Sequence, residues 1–545
     1  MTRDRYPHAR RGAARATFPA ELEIELGLDD ADDPGALRAL SARRLGVRSE
    51  DLPELVLQKR SIDARRGGVR FRLLLGLGPQ PLDDPARLEL RPIAAPARVI
   101  VVGDGPAGLF CAYELARRGI GAVVLDRGKP VQPRRHDLAA LNRKGQVDPN
   151  SNYCFGEGGA GTYSDGKLYT RAHKRGSVRD VLEILALHGA PEAILTEARP
   201  HIGSNRLPKV VTALRERLTA AGVEFRFGAR VVDLLIEGQG SARRVAGVEL
   251  ADGGQVLGDA VVLATGHSAR DVFELLLARA LVLTPKPFAL GVRIEHPQPL
   301  INRIQYGAHA GHPKLPNAAY RLAAPVEGRG VFSFCMCPGG WIVPAATEPG
   351  ALVVNGMSLS RRDSPYANSG LVVAIEPGDW QAAGFAGPLG GVALQGAIER
   401  AAFAAGGGAL VAPATRATDF ARGRGSSKVP ESSYIPGLVA SDVGAVLDAA
   451  GLPLADRLRR ALAVFGRQLG GFVSDEAVLV GVESRTSAPV RVEREPASLE
   501  ARGLSGLYPC GEGAGYAGGI VSAALDGMRV ATALAARLEA TSAAR

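Results

Sequence analysis

The chain has 545 residues, enough for two or three domains with a large hydrophobic core. Its composition is 46 % hydrophobic and 22 % charged, as in an ordinary globular protein, and its apolar runs are too interrupted for a membrane-spanning helix of the usual length. The first residues lack the apolar segment of an export signal, so we expect a cytoplasmic protein.

The formal net charge of +10 raises the question of a nucleic-acid partner. The excess of basic residues is mostly scattered, with a local concentration of arginines at the start of the chain. We interpret residues 1–19 as a solvated, disordered basic tail, and binding of nucleic acid is not expected.

A small α+β module is predicted for residues 20–92. Its predicted elements are a strand at Glu21–Leu26, a helix at Pro34–Leu45 that stops at Gly46, and extended segments at 52–62 and 69–77. The order β-α-β-β is typical of a ferredoxin-like module. Several prolines between residues 79 and 96 then indicate a linker.

A glycine-rich turn after the linker is the most informative motif of the chain. The apolar strand Val99–Val102 is followed by Gly103, Gly105 and Gly108, in a G-x-G-x-x-G spacing that lets the backbone approach a pyrophosphate. A helix is predicted from Pro106, and its free amides and dipole attract the phosphates. The pattern predicts a dinucleotide-binding domain.

An acidic residue completes this motif. A second apolar strand at 122–125 ends in Asp126, about twenty residues after the first glycine, where a carboxylate accepts hydrogen bonds from ribose hydroxyls. Strand, glycines, helix, strand and acid in this order are a far more specific signal than the glycines alone.

The rest of the chain divides into further parts of this domain and an insertion. The predicted elements are a helix at 210–220, one strand at 224–235, a hairpin of 245–250 with 255–257, a strand at Ala260–Leu263 and a C-terminal amphipathic helix at 521–538. Short strand-like runs with many glycines and prolines lie between. We therefore predict an α/β protein with a discontinuous Rossmann-like domain at 96–275 and 480–545, and an inserted mixed α+β substrate domain at 276–479.

Three features favour FAD over a nicotinamide dinucleotide. They are the Gly-Pro-Ala-Gly filling of the glycine motif with Asp126 and Arg127 after the second strand, the strand end Ala264-Thr265-Gly266, and the C-terminal turn Gly511-Glu512-Gly513. In that turn Glu512 is predicted to bond the ribityl hydroxyls. The helix N-terminus near Gly519 is predicted to face the isoalloxazine and to stabilise negative charge on the reduced ring.

Five segments spread over most of the chain carry a resemblance to a known family. They are residues 156–168, 286–297, 334–340, 355–358 and 511–519. The chain resembles the bacterial uncharacterised FAD-dependent dehydrogenases with an N-terminal ferredoxin-like module, within the glutathione-reductase-type FAD superfamily. The resemblance implies bound FAD and oxidoreductase activity, and no particular substrate.

A second glycine-rich loop begins at Gly156. We expect Gly159, Gly161 and Thr162 to line the cofactor with backbone amides, because flavoproteins of this superfamily close such a loop over pyrophosphate and flavin. The nearby Lys167 either holds an anion and raises the flavin potential, or is an exposed ion-paired lysine. Tyr516, inside the C-terminal turn, is the candidate proton donor, with a packing role as the alternative.

Other polar residues are given structural interpretations. His267 either relays protons or is a hydrogen-bonded structural histidine. Arg293 and Glu295 share one face of a strand, where a salt bridge is expected. Cys335 and Cys337 are predicted to pack on one face of a strand at 331–337. No C-x-x-C pair adjoins the glycine motif, which argues against a dithiol reductase of the thioredoxin-reductase type, and no metal site is expected.

These observations predict a reaction class and leave alternatives open. We expect an FAD-dependent oxidoreductase that transfers a hydride between an unidentified small-molecule substrate and flavin N5. Transient NAD(P)H binding would instead make it a flavin reductase or a monooxygenase. The alternatives of other classes are a flavin-dependent RNA-modifying or RNA-binding protein, and a flavin-loaded scaffold without turnover.

Overall fold

A computed structural model describes residues 18–65, 68–78, 85–170 and 172–543. The predicted basic tail, apart from its last two residues, and part of the proline-rich linker lie outside these ranges. By internal contacts the chain divides into two units, one that extends to Asp84 and takes in Thr196–Ala198, and one with the remaining residues. Among the described residues, no helix combines the length and the apolar character that crossing a membrane requires.

The N-terminal unit is a three-stranded antiparallel sheet with one helix. Its elements are β1 (Glu21–Leu26), α1 (Pro34–Leu45), β2 (Leu55–Asp63) and β3 (Arg70–Leu77), and the strand order is β1-β3-β2. Asp33 caps α1 by accepting a hydrogen bond from the amide of Gly35, and Gly46 ends the helix in the left-handed conformation. The β-α-β-β order is as predicted, and the described residues of this unit hold three strands and one helix of a ferredoxin-like motif.

The second unit opens with the nucleotide-binding domain. Its elements up to residue 278 are β4 (Val99–Val102), α2 (Pro106–Arg117), β5 (Ala122–Asp126), α3 (Val131–Lys144), α4 (Val178–Leu187), α5 (Leu207–Ala220), β6 (Glu224–Phe227), β7 (Val231–Glu237), β8 (Arg244–Leu250), β9 (Gln255–Leu257), β10 (Ala260–Leu263) and α6 (Arg270–Ala278). The single strand predicted at 224–235 is wrong, because β6 joins one sheet and β7 pairs with β8 in another.

A longer set of elements completes the unit. They are β11 (Leu283–Pro285), β12 (Phe288–Pro297), α7 (Gln298–Tyr306), β13 (Ala323–Val326), β14 (Arg329–Cys337), β15 (Gly340–Pro344), β16 (Val354–Ser358), β17 (Tyr366–Ile375), α8 (Pro377–Ala382), α9 (Gly390–Ala405), β18 (Ala412–Arg416), α10 (Ala417–Ala421), β19 (Leu438–Ala440), α11 (Val443–Asp448), α12 (Leu454–Gln468), β20 (Val478–Glu483), β21 (Val490–Val492), β22 (Leu507–Pro509) and α13 (Ile520–Ala543).

A parallel five-stranded sheet forms the centre of the nucleotide-binding domain, with strand order β22-β10-β4-β5-β6. Because β22 comes from the C-terminal part of the chain, the domain is discontinuous, as predicted. Helix α13 packs against α2, and a Cβ atom at Gly527 of α13 would overlap the carbonyl oxygen of Ala107. The predicted α/β class with a Rossmann-like domain is confirmed.

The inserted part forms a mixed seven-stranded sheet with order β13-β14-β17-β12-β20-β18-β19. Strand β12 lies inside this sheet, and all of its residues except the last are buried. Because both faces of the strand are covered, most of its residues are apolar, and only a few side chains are charged. Phe332 and Phe334 of β14 lie on one face of this sheet, and both residues line the cavity described below.

Candidate functional site

The glycine turn after β4 brings three backbone segments into contact. Gly103 has φ 96°, and a Cβ atom there would lie 2.5 Å from the carbonyl oxygen of Ala264. A Cβ atom at Gly108 would overlap the carbonyl oxygen of Gly103. Glycine at these two positions therefore lets α2 lie directly against the ends of β4 and β10.

Gly105 has a different role in the same turn. It is the N-cap residue of α2 with φ −63°, and the atom nearest to a Cβ there would be Gly159 Cα, at 3.8 Å. Gly105 lines an open cavity, so a side chain here would occupy ligand space without disturbing the protein's own packing. The bare backbone and the free amides of α2 form a site suited to a phosphate.

A cavity of about 860 Å³ extends in front of this turn. Its volume is within the range of sites that hold small ligands and cofactors. The residues from the sequence-based site prediction that line it are Gly103, Gly105, Asp126, Arg127, Gly159, Gly161, Lys167, Thr265, Gly266, Glu512 and Gly519. Residues that are far apart in the chain are thus brought to one cavity.

Three other residues from that prediction do not line the cavity. Gly108 supports the turn from behind. Thr162 is fully buried, and its hydroxyl donates to the carbonyl oxygen of Glu157 at 2.8 Å. Gly511 has φ 76°, and its amide donates to the Asp526 carboxylate at 2.8 Å. These residues shape the walls and do not face the cavity.

Tyr516 is also not among the lining residues. Its hydroxyl donates to the carbonyl oxygen of Val492 at 3.1 Å, and its ring lies 3.7 Å from the guanidinium carbon of Arg494. These contacts correspond to the packing alternative. We therefore give Tyr516 no part in the proposed chemistry.

Two carboxylates meet at the end of β5. Asp126 accepts hydrogen bonds from the amides of Gly128 at 2.8 Å and of Asp104 at 3.3 Å. Asp104 is fully buried, and burial together with the neighbouring Asp126 and Glu157 carboxylates raises its pKa. The pKa of Asp104 is therefore held well above its ordinary value beside the Asp126 carboxylate, a pairing that the sequence did not reveal.

The second glycine-rich loop is held in place by one buried arginine. Arg134 on α3 donates to five backbone carbonyl oxygens, and it is fully buried. The acceptors are the carbonyl oxygens of Asn152, Tyr153, Gly156, Glu157 and Gly159, at 2.8–3.1 Å. Asp104 fixes the same loop by accepting from the amide of Gly158 at 2.9 Å. The loop is thereby fixed as one wall of the cavity.

Arg127 lines the cavity while it is held on both sides. Its guanidinium donates to both carboxylate oxygens of Asp271, at 3.0 and 2.6 Å. It also lies 4.6 Å from the ring centre of Phe155. This bidentate, stacked position pre-organises the guanidinium at the cavity edge.

Glu512 brings a titratable group into the cavity. Burial raises its pKa to about 7, although Lys286 and the amide of Gly519 favour the ionised form. Lys286 also lines the cavity, and burial lowers its pKa. The C-terminal turn thus presents a carboxyl group that changes charge near neutral pH.

His267 lies in the cavity wall beyond β10. Burial lowers its pKa to about 4, and the positive charges of Arg485 and Arg270 act in the same direction. Its imidazole is therefore neutral at physiological pH. Both arginines bind Glu399, which is fully buried on α9.

Lys167 is both ion-paired and inside the cavity. Its ammonium lies 3.4 Å from Asp165 and 3.5 Å from the sulfur atoms of Cys335 and Cys337. Burial lowers the pKa of Lys167, but the two thiols and the Asp165 carboxylate raise it, and the net direction is upward. The side chain therefore carries a positive charge.

Strand β14 ends at Cys337, as predicted, but it is irregular at its C-terminal end. The pairing of β14 with β17 shifts between Phe334 and Cys337, and Cys335 has φ 43°. At this irregularity the sulfur atoms of both cysteines lie 3.5 Å from the ammonium of Lys167. The sequence-based interpretation of the two cysteines as packing residues does not account for their contact with the Lys167 ammonium.

The salt bridge expected between Arg293 and Glu295 is also wrong. Arg293 is fully buried and pairs with Glu483 of β20, at 2.9 Å. Glu295 instead accepts a hydrogen bond from the amide of Ser433, at 2.9 Å. The sequence placed both residues on one strand, but their partners come from distant segments.

The cavity fits a dinucleotide such as FAD. A Cβ atom at Gly103 or Gly108 would collide with backbone atoms. Glycine at both positions therefore permits the close helix-to-strand turn that binds a pyrophosphate. At the end of β5, Asp126 lines the cavity, as a ribose-binding acid must. Lys286, Glu512 and Gly519 place polar groups elsewhere on its wall.

Family models match four parts of the chain. A model described as "FAD binding domain" matches residues 96–138, and one described as "FAD dependent oxidoreductase" matches 201–329. A model described as "FAD-dependent protein, C-terminal domain-like" matches 287–486, and a domain of unknown function matches 19–76. Three of the four descriptions name FAD.

Comparison with solved structures gives only remote likenesses. The structure of CtdE in complex with FAD is 11 % identical, covers 81 % of this chain and 84 % of its own, and has a TM-score of 0.30. The structure of FqzB is 16 % identical, covers 82 % of this chain and 77 % of its own, and has a TM-score of 0.33.

A full-length relative and the family models together define the family. A Clostridium beijerinckii protein, described as uncharacterised, is 40 % identical over 530 residues, which are 93 % of this chain and 97 % of the relative. The FAD-related models match the glycine turn, the later part of the nucleotide-binding domain and the inserted sheet. This chain therefore belongs to that family of FAD-dependent oxidoreductases, and FAD is its cofactor.

Proposed function

We propose that the protein transfers a hydride between a small organic substrate and N5 of FAD. Bound FAD supplies a ring that accepts or releases a hydride. The observation that carries the proposal is that one cavity joins the glycine turn of the nucleotide-binding domain to the face of the seven-stranded sheet. When the glycine turn holds the cofactor, the face of the seven-stranded sheet remains as the wall that contacts the substrate.

The cofactor half of the proposal assigns a task to each end of the cavity. The amides at the start of α2, beside Gly103 and Gly105, bind the pyrophosphate. Asp126 binds ribose hydroxyls. Glu512 accepts hydrogen bonds from the ribityl chain, and the N-terminal end of α13 near Gly519 stabilises negative charge on the reduced ring.

The substrate half rests on side chains of the inserted sheet and of segments beside it. Phe332 and Phe334 of β14 line the cavity and provide apolar surface that excludes water. Lys167 and Asn355 line it too and provide polar groups that orient a substrate. This mixture of aromatic surface and a few polar groups is typical of sites for small organic molecules.

Anaerobic spectroscopy of the purified protein tests the reaction class. We expect a flavin spectrum that is not bleached rapidly by NADH or NADPH and is bleached by an organic substrate from a compound panel. Rapid bleaching by either nicotinamide would instead support the reductase or monooxygenase alternative. A colourless protein that does not take up added FAD would contradict the proposal as a whole.

The Glu512→Gln variant tests the assigned role of Glu512. If the carboxylate accepts the ribityl hydrogen bonds, the affinity of the wild-type protein for FAD rises with pH up to about 7, by as much as about tenfold per pH unit. Glutamine does not titrate, so the variant is expected to bind FAD with a much flatter pH dependence. The dissociation constant from flavin fluorescence, measured between about pH 5 and about pH 8, checks this. An unchanged pH dependence in the variant would refute the assignment.

A further inference from the structure

Two cysteines converge on one wall of the cavity, although neither adjoins the nucleotide motif in sequence. Cys335 lines the cavity, and Cys337 is fully buried next to it. The ammonium of Lys167 lies 3.5 Å from each sulfur atom. The two thiols are therefore close together and share one cationic neighbour.

The backbone of β14 is irregular at this pair of cysteines. In a regular strand, side chains two residues apart point the same way and their Cα atoms are roughly 6.5 Å apart. Here the left-handed φ of 43° at Cys335 and the shift in pairing after Phe334 break the regular strand. A non-glycine residue is held in this conformation only where its surroundings require it, which is common at functional sites.

The charges around the pair favour one thiolate and one thiol. Hydrogen bonding with Cys337 lowers the pKa of Cys335 against the effect of burial, and the positive charges of Lys167 and Arg293 add to this. The same contact and burial raise the pKa of Cys337. Arg293 also donates to the carbonyl oxygen of Cys335 at 2.7 Å. A thiolate beside a protonated thiol is the state from which thiol–disulfide chemistry begins.

Cys335 also shares its cavity with the residues assigned to the flavin. Cys335 and Glu512 line the same cavity, and the charge of Cys335 raises the pKa of Glu512. Cys335 thus lines the cavity that holds FAD in the proposed function.

We propose that Cys335 and Cys337 are a redox-active pair that exchanges two electrons with the bound FAD. In the oxidising direction the Cys335 thiolate and the Cys337 thiol lose two electrons and one proton, and a bond forms between their sulfur atoms. The electrons and the proton pass to the oxidised flavin, which gives its reduced anion. Atoms, electrons and charge balance without a further reactant. The inference rests on bound FAD and does not depend on the identity of the organic substrate.

Anaerobic reduction of the air-oxidised holoenzyme with dithionite tests this inference. The wild-type protein is expected to take up about twice as many reducing equivalents per flavin as Cys335→Ser or Cys337→Ser, because a disulfide accepts one additional electron pair. Cys154→Ser is the matched control, since Cys154 lines the cavity outside the pair, and it is expected to keep the wild-type uptake.

Labelling of the wild-type holoenzyme gives a second readout that requires no variant. Thiols are alkylated under denaturing conditions before and after reduction, and the labelled peptides are mapped by mass spectrometry. We expect Cys335 and Cys337 to be unlabelled in the oxidised protein and both labelled after reduction. Full labelling of both before reduction, or equal uptake of reducing equivalents by the wild-type protein and the two serine variants, would overturn the inference. Neither readout depends on substrate turnover, so their failure is distinct from failure of the proposed hydride transfer.

Discussion

The Glu399→Ala variant is expected to lose about 3–5 kcal/mol of unfolding free energy, because it leaves two arginines of the protein interior without their carboxylate. Glu399 accepts from Arg270 at 2.9 Å and from Arg485 at 2.8 and 3.0 Å. Its carboxylate also accepts from the hydroxyl of Ser484 at 2.6 Å. The loss is large because water cannot replace these contacts in a fully buried position.

The Glu348→Ala variant is the matched control. Glu348 pairs with the same Arg270, at 3.4 Å, but about half of its side chain is exposed, so its removal is expected to cost less than about 1 kcal/mol. Denaturant unfolding followed by far-UV circular dichroism compares the two variants. Equal transition midpoints for Glu348→Ala and Glu399→Ala would contradict the assigned role.

The same carboxylate gives a pH dependence with a defined sign. Although burial raises the pKa of Glu399, the charges of Arg485 and Arg270 lower it to about 2. A folded-state pKa below the ordinary value means that the protein gains stability above about pH 4.5 and loses it as the pH falls towards 2. The wild-type protein is therefore expected to lose more stability on acidification than Glu399→Gln. Parallel acid-unfolding curves of the two proteins would rule this out.

The nucleotide-binding domain could be predicted because its signals are local. The apolar strand before Gly103, the glycine spacing and the acid at Asp126 lie within about thirty residues, and each follows from short-range backbone geometry. The C-terminal turn around Glu512 was predicted for the same reason. The position of this turn in the cavity follows from the strand that precedes it, β22, which pairs in parallel with β10.

The substrate side of the cavity could not be predicted because its contacts are long-range. Lys167 meets Cys335 across 168 positions of sequence, and Arg293 meets Glu483 across 190. The alternation of residues along a strand predicts which face a side chain occupies. The residue that this side chain contacts depends on the order of the strands in the sheet, which the alternation does not give. The irregular end of β14 was likewise not marked by any residue pattern.

The Gly105→Val variant is expected to lose bound FAD and to keep the fold. Three added carbon atoms would enter the cavity in front of the α2 amides, where the pyrophosphate is proposed to bind. A steric overlap of about 1–3 kcal/mol corresponds to an affinity about 5–150-fold lower. The extended backbone at this position, with φ −63° and ψ −178°, accepts a β-branched residue, so circular dichroism should be unchanged. The flavin content per chain, from the ratio of visible to ultraviolet absorbance, measures the loss.

The Gly108→Val variant separates loss of the cofactor from loss of the fold. Its side chain would overlap the carbonyl oxygen of Gly103 within the protein itself, so we expect a lower melting temperature even without FAD. For Gly105→Val the nearest protein atom is 3.8 Å from the new Cβ, and the melting temperature of the FAD-free protein should stay close to that of the wild type. Stoichiometric FAD in folded Gly105→Val would show that the pyrophosphate lies elsewhere, because a valine at the N-cap of α2 and a phosphate on the same amides exclude each other.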